Sequence, residues 1–102
     1  MVGAFGGLSI ARVFIGAFMK NVTGVSFARD IRPLFRPVDI EHMKPMGILL
    51  DDFTYMSDSN NAQAVYDSLT GDTQPRMPIN GPYWPQDKLD LFQQWMKGGY
   101  QP

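Results

Sequence analysis

Apolar residues recur every three or four positions in several stretches of this chain, and this spacing predicts helices. It runs through residues 8–22, 60–70 and 85–97, and in shorter form through 30–43 and 51–56. No stretch alternates apolar and polar residues with the period of two that a half-buried strand shows. The pattern therefore predicts an all-α fold.

The first 24 residues are set apart by their apolar composition. Residues 2–19 are apolar apart from Ser9 and Arg12. Because Arg12 lies in the middle of this run, and because a membrane span needs about 20 apolar residues, we expect neither a signal peptide nor a span here. The spacing predicts one amphipathic helix over 8–22, which docks on the rest of the chain or on a partner. The chain thus divides into an N-terminal helical extension, 1–24, and a domain, 25–102.

A second helix is predicted to begin at Asp30, a residue type that caps helix N-termini well. Its buried side is expected to comprise Ile31, Leu34, Phe35 and Val38. Pro37 should kink or restart the helix, so that 37–43 forms a short continuation. Pro45 and Gly47 then end it.

The second half of the chain is predicted to hold a short helix and two longer ones around a stiff loop. The short helix, 51–56, begins with two acidic residues that suit the helix dipole. Gly71 lies where a glycine closes the helix before it. The loop 72–85 contains four prolines. The last helix has Pro85 near its first position and stops at Gly98-Gly99.

Composition narrows the possible functions. The length of 102 residues predicts one domain. The net charge of −1 indicates that the protein has no basic surface for nucleic acid or anionic membranes. The absence of cysteine excludes disulfides, thiolate metal sites and a cysteine nucleophile. The chain has a single histidine and no glycine-rich phosphate-binding motif. We therefore expect no enzymatic activity.

Two segments resemble bacterial class I cytochromes c. Residues 26–35, Ser-Phe-Ala-Arg-Asp-Ile-Arg-Pro-Leu-Phe, are similar to the segment that precedes the haem-attachment motif C-x-x-C-H. Residues 76–99, with Met77-Pro78, a proline-rich turn and a helix ending in Trp-Met-Lys-Gly-Gly, resemble the C-terminal end of that family. The resemblance covers roughly residues 26–100. It implies a small cytochrome c-like helical domain, here with an extra N-terminal amphipathic helix.

The resemblance also implies roles for four residues. His42 and Met77 stand at the positions of the two axial haem ligands, with a spacing that suits a small cytochrome c. Val38 and Glu41 stand at the positions of the two cysteines. Neither side chain can form a thioether, so the covalent attachment is lost.

Three interpretations of this loss are open. In the first, which we favour, no cofactor or metal binds and side chains fill the space of the haem, because an apolar void of that size costs too much stability. The candidates for this filling are Met43, Met46, Phe53, Tyr55, Met56, Tyr66, Tyr83 and Trp84. In the second, His42 and Met77 ligate a haem that is not covalently bound. In the third, His42 and some of Met43, Met46 and Met77 bind copper, because thioether and imidazole suit Cu(I).

The resemblance also bears on compartment and partners. Covalent haem attachment in this family takes place outside the cytoplasm, and this chain shows neither the cysteines nor an export signal. We therefore expect a cytoplasmic protein, if residue 1 is the natural start. Because small cytochromes dock onto oxidoreductases, the favoured interpretation is a haem-free accessory subunit that partners a redox enzyme or self-associates through the N-terminal helix. The alternative is an electron-transfer protein with non-covalent haem. The expected contact surfaces are the N-terminal helix and the loop 75–85.

Overall fold

The computed structural model describes residues 24–102, so the predicted helix over 8–22 lies outside the described residues. The described part has helices and turns but no strand, which confirms the all-α prediction. Its α-helices are α1 (Pro37–Met43), α2 (Phe53–Met56), α3 (Ser59–Thr70) and α4 (Gln86–Lys97). A π-helical turn covers Phe27–Ile31, and 3-10 turns cover Arg32–Leu34 and Lys44–Met46. No helix within residues 24–102 has the length and apolar character needed to cross a membrane.

The first helical turn begins earlier than predicted, with Ser26 as its cap. The Ser26 hydroxyl accepts a hydrogen bond from the backbone N–H of Arg29 (3.3 Å). In return, the Asp30 carboxylate accepts one from the backbone N–H of Ser26 (2.8 Å). This reciprocal arrangement satisfies two N–H groups at the helix start. The prediction that Asp30 caps the helix was wrong, because Asp30 is the returning partner inside the turn.

Helix α1 restarts the chain at Pro37, as predicted. Phe35 and Arg36 are extended, with ψ angles of 128° and 152°. This interruption changes which positions face inward, so that Asp39 is buried while Val38 is 47% exposed. The prediction of a buried Val38 was wrong, because it carried the spacing of Ile31 and Phe35 across the predicted restart at Pro37. Gly47, with φ of 76°, ends the turn that follows α1.

Helix α3 has the predicted stop at Gly71, where φ is 90°. At its start, the Asp58 carboxylate accepts hydrogen bonds from the backbone N–H groups of Asn60 (2.9 Å) and Asn61 (3.2 Å). The buried side of the helix consists of Ala62, Val65 and Leu69. Capping and the apolar stripe together explain why this segment is helical.

Helix α4 provides the aromatic centre of the core. Phe92 is fully buried, and its ring centroid lies 5.6 Å from that of Trp95, 6.2 Å from Trp84 and 6.4 Å from Phe35. Trp95 in turn packs on Phe27, at 5.5 Å. These aromatic rings join α4 to the first helical turn on one side and to the proline-rich loop on the other.

The loop 72–85 is fastened to α3 by backbone hydrogen bonds. The N–H of Met77 donates to the carbonyl oxygen of Ser68 (3.0 Å), and that of Thr73 donates to Asp67 (3.2 Å). Trp84, near the end of the loop, is buried against Phe35, with ring centroids 5.1 Å apart. These contacts bring Met77 and Trp84 to the side of the domain where α1 lies.

Candidate functional site

His42 and Met77 line the same small cavity. His42 belongs to the last turn of α1 and is exposed, whereas Met77 belongs to the loop and is only 3% exposed. Two residues that are 35 positions apart in the sequence thus meet at one place in the fold. The cavity is completed by Phe35, Asp39, Met43, Leu50, Leu69, Pro78, Ile79 and Trp84.

The cavity has a volume of about 10 Å³. This is about the room that one water molecule needs. Phe35, Leu50 and Trp84 are each less than a tenth exposed and occupy the surrounding space. The packing therefore leaves room for a water molecule or a single ion, whereas pockets for small organic ligands have volumes of about 300–1,000 Å³.

Only two of the eight predicted filling residues line the cavity, namely Met43 and Trp84. Of the others, Met56 is fully buried in the core, and Phe53, Tyr55 and Tyr66 are partly buried against it. Phe53 packs on Phe27 (5.7 Å), and Tyr66 stacks on Phe92 (6.0 Å). Met46 and Tyr83 are 56% and 50% exposed and fill no internal space.

The principal filling residues that sequence reasoning missed are Phe35, Leu50 and Leu69. Phe35 and Leu69 lay on predicted apolar stripes, so their burial was expected and their position beside His42 was not. Leu50 lies between predicted elements and carried no periodic signal. The chain topology, rather than local pattern, brings the three together.

Val38 and Glu41 lie on the exposed side of α1. The Glu41 carboxylate pairs with the ammonium group of Lys44, at 3.4 Å. Both partners are more than half exposed, so this pair contributes little to stability. Neither side chain lines the cavity of His42 and Met77.

Asp39 is the buried charged residue beside the cavity, at 8% exposure. Its carboxylate accepts hydrogen bonds from Arg36 Nε (2.9 Å), Arg36 Nη2 (2.8 Å) and the Arg36 backbone N–H (3.3 Å). These hydrogen bonds from the Arg36 side chain hold the pKa of Asp39 below its ordinary value. Arg36 Nη2 also donates to the carbonyl oxygen of Gly81 (3.3 Å). The pair therefore fastens the start of α1 to the proline-rich loop.

Two surface grooves border the cavity. One, of about 340 Å³, is lined by Leu34, Arg36, Asp39, Pro78, Pro82, Tyr83, Trp84, Pro85 and Lys88. The other, of about 360 Å³, is lined by Arg32, Pro33, Phe35, Pro37, Ile40, Glu41 and Asp51. Both mix apolar walls with charged rims, the composition of surfaces that bind other proteins.

No protein family, curated protein or solved structure matches this chain. The chemistry of the site therefore rests on its own residues. Within residues 24–102, no three histidine, aspartate or glutamate side chains are grouped so that they could hold a metal ion. The lining of the cavity contains one histidine, two methionines and Asp39, whose carboxylate is paired with Arg36.

Proposed function

We propose that this protein is a haem-free, cytochrome c-like domain that acts as a binding or accessory subunit of a redox enzyme. The observation that carries the proposal is the packing between His42 and Met77, which leaves a cavity of about 10 Å³. A porphyrin needs a pocket at least at the lower end of the range for small ligands, about 300 Å³. Side chains take the place that the resemblance assigns to haem.

The free energy needed to open such a pocket supports the same proposal. At about 24 cal/mol per Å³, an apolar void of about 300 Å³ costs about 7 kcal/mol. The whole stability of a domain is about 5–15 kcal/mol. Haem binding would have to supply this energy and also displace Phe35 and Trp84, whose rings pack 5.1 Å apart.

The binding role is supported by apolar side chains left on the surface. Val38, Met46, Ile79 and Tyr83 are each more than 40% exposed. Tyr83 lines the groove that also contains Arg36 and Lys88. Aromatic residues, methionine and arginine are enriched in protein interfaces. The choice of a redox enzyme as partner rests on the resemblance alone. The proposed cytoplasmic location also rests on it, because a chain without cysteines does not need the haem-attachment machinery that lies outside the cytoplasm.

The second candidate function is electron transfer by a non-covalently bound haem. It is favoured by the convergence of His42 and Met77 on one cavity. A histidine–methionine axial pair suits an electron-transfer haem. The exposed position of His42 leaves its imidazole accessible to a ligand that enters from solvent.

A haemin titration separates the two candidates. The wild-type protein is titrated with haemin and followed by visible absorption, beside His42→Ala, Met77→Leu and the control Met46→Leu. We expect no saturable Soret change in any of them. A Soret band that saturates at one haemin per chain and disappears in His42→Ala, but not in Met46→Leu, would establish the second candidate instead.

The binding role is tested on the surface residues. Tyr83→Ala and Ile79→Ser alter exposed side chains, so both variants should fold like the wild type. Affinity capture from the cells that make the protein should yield a redox enzyme with the wild type and less of it with Tyr83→Ala. If both variants captured the same enzyme at wild-type levels, the contact surface would have to lie away from Tyr83 and Ile79. The absence of any captured oxidoreductase would contradict the proposed partner.

A further inference from the structure

Three of the residues that line the cavity between α1 and the proline-rich loop carry soft donor groups. They are the imidazole of His42 and the thioethers of Met43 and Met77. Met43 and Met77 are 5% and 3% exposed, while His42 stands at the surface end of the cavity. Of the seven methionines in the chain, Met46 lies close by in sequence but is exposed and does not line the cavity.

This donor set has a chemical preference. Thioether ligands select Cu(I), and imidazole suits copper as well. Calcium and magnesium prefer oxygen ligands, and zinc prefers thiolate, imidazole and carboxylate ligands in sets of three or four. The described residues offer no such set of His, Asp and Glu. We propose that the cavity binds one Cu(I) ion through His42, Met43 and Met77.

The size of the cavity and its neutral ligands fit a single monovalent ion. A volume of about 10 Å³ accommodates an ion but not an organic cofactor. A buried cation is stable only when a nearby opposite charge or strong ligands compensate the lost hydration. Thioethers and imidazole are strong ligands for Cu(I), so the ligands themselves can compensate for the lost hydration. Asp39 also lines the cavity, and its carboxylate is paired with the Arg36 guanidinium, so that no unpaired carboxylate is left to attract a divalent ion.

The remaining walls favour the reduced ion over the oxidised one. Phe35, Leu50, Leu69 and Trp84 are buried apolar side chains that form the inner walls of the cavity. Cu(II) prefers nitrogen and oxygen ligands in square-planar or tetragonal arrangements, which these walls do not offer. The exposed His42 and Ile79 leave a route from solvent to the thioethers.

This inference rests on the haem-free half of the proposed function, because haem and copper would compete for His42 and Met77. The test is an anaerobic titration of the full chain with Cu(I) in competition with a chromophoric Cu(I) chelator. We expect a stoichiometry of one ion per chain. Met77→Leu and Met43→Leu, which nearly conserve volume, should each weaken binding by at least about 10-fold, the loss that removal of even an outer-shell partner causes. His42→Ala, at an exposed position, should weaken it similarly.

Met46→Leu is the matched control, since it removes a thioether from the same segment but not from the cavity. It should bind Cu(I) like the wild type. Sulfur scattering in the X-ray absorption spectrum of the copper-loaded protein should fall in Met77→Leu and Met43→Leu alone. Failure to take Cu(I) from the chelator, or equal losses in Met46→Leu and Met77→Leu, would overturn the proposal. Either result leaves the outcome of the haemin titration unchanged, so failure of the copper site and failure of the haem-free assignment are distinguishable.

Discussion

The packing of Phe35 should be one of the main reasons why the cavity between His42 and Met77 is small. Its side chain is 5% exposed, with its ring centroid 5.1 Å from that of Trp84 and 6.4 Å from that of Phe92. Truncation of a buried phenylalanine to alanine costs about 3–5 kcal/mol, through lost transfer energy and the void that remains. The side chains around Phe35 come from α1, α3, α4 and the loop 72–85, so the space cannot close by the movement of one element. We therefore expect Phe35→Ala to lose about 3–5 kcal/mol of the free energy of unfolding.

Urea denaturation followed by circular dichroism measures this loss. With a urea dependence of about 1.5 kcal/mol per M, within the range for small proteins, the midpoint should fall by about 2–3 M. Tyr83→Ala is the control, because it truncates an aromatic ring that is half exposed. Its ring makes a cation–π contact with the guanidinium of Arg76, whose carbon lies 4.2 Å from the ring centroid. Loss of that contact should cost about 1 kcal/mol or less.

The two variants together test whether Phe35 fills space or merely borders it. A loss below about 1 kcal/mol in Phe35→Ala, or a loss no larger than that of Tyr83→Ala, would refute the packing argument. The space between His42 and Met77 would then be able to open at little cost, which would favour a ligand-binding function.

The ionisation of Asp39, the backbone at Gly71 and the cap of α3 lead to three further predictions. Because the pKa of Asp39 is lowered in the folded state, its stabilisation is present above the ordinary pKa of about 3.9 and is lost as the pH falls through the folded value. Thermal melts should show this loss below about pH 4 and a weaker pH dependence in Asp39→Asn; parallel pH profiles would contradict it. Gly71→Ala should cost about 1 kcal/mol, because φ is 90° at this position and a Cβ would lie 3.1 Å from Arg76 Cδ. The Tm should therefore fall by about 4–8 °C. An unchanged Tm would show that the backbone at Gly71 accepts a side chain without strain. Asp58→Ala should cost about 1 kcal/mol in urea denaturation and Asp58→Asn much less, because only the latter keeps a capping oxygen; equal losses would contradict a capping role.

The all-α class and the position of most α-helices could be predicted from the sequence, whereas the π-helical turn and the 3-10 turns could not. Gly71 and Gly98 carry stop signals that act locally, and the structure ends α3 and α4 there. The start at Asp30 was misplaced because a capping box uses two residues, Ser26 and Asp30, and the sequence shows both as suitable caps. The exposure of Val38 was missed because the extended residues before Pro37 shift the helical phase.

The candidate site was less predictable than the helices. The sequence pointed to His42 and Met77 through resemblance, and the structure places them on one cavity. It did not single out Phe35 or Leu50 as the residues that fill the space, because their meeting depends on how the loop 72–85 folds back on α1 and α3. The burial of Asp39 was not predicted, although an arginine three residues earlier can pair with such a carboxylate on the same helical turn.

The different burial of Met43 and Met46 was also not visible in the local sequence. Met43 and Met46 are three positions apart and looked equivalent in the sequence. The structure buries Met43 in the cavity wall and leaves Met46 exposed in the 3-10 turn that follows α1. The change from α-helix to 3-10 turn at Lys44, where Pro45 prevents continuation, separates their surroundings. This difference makes Met46 a suitable control for both haem and copper binding.

The central claim is that side chains, and not a porphyrin, occupy the space between His42 and Met77. The most direct measurement is the visible absorption spectrum of the protein isolated from the cells that make it, without added haemin. We predict a spectrum with the 280 nm band of its tryptophans and tyrosines and no Soret band. A Soret band in stoichiometric proportion to the protein, with the spectrum of a low-spin histidine–methionine haem, would contradict the account.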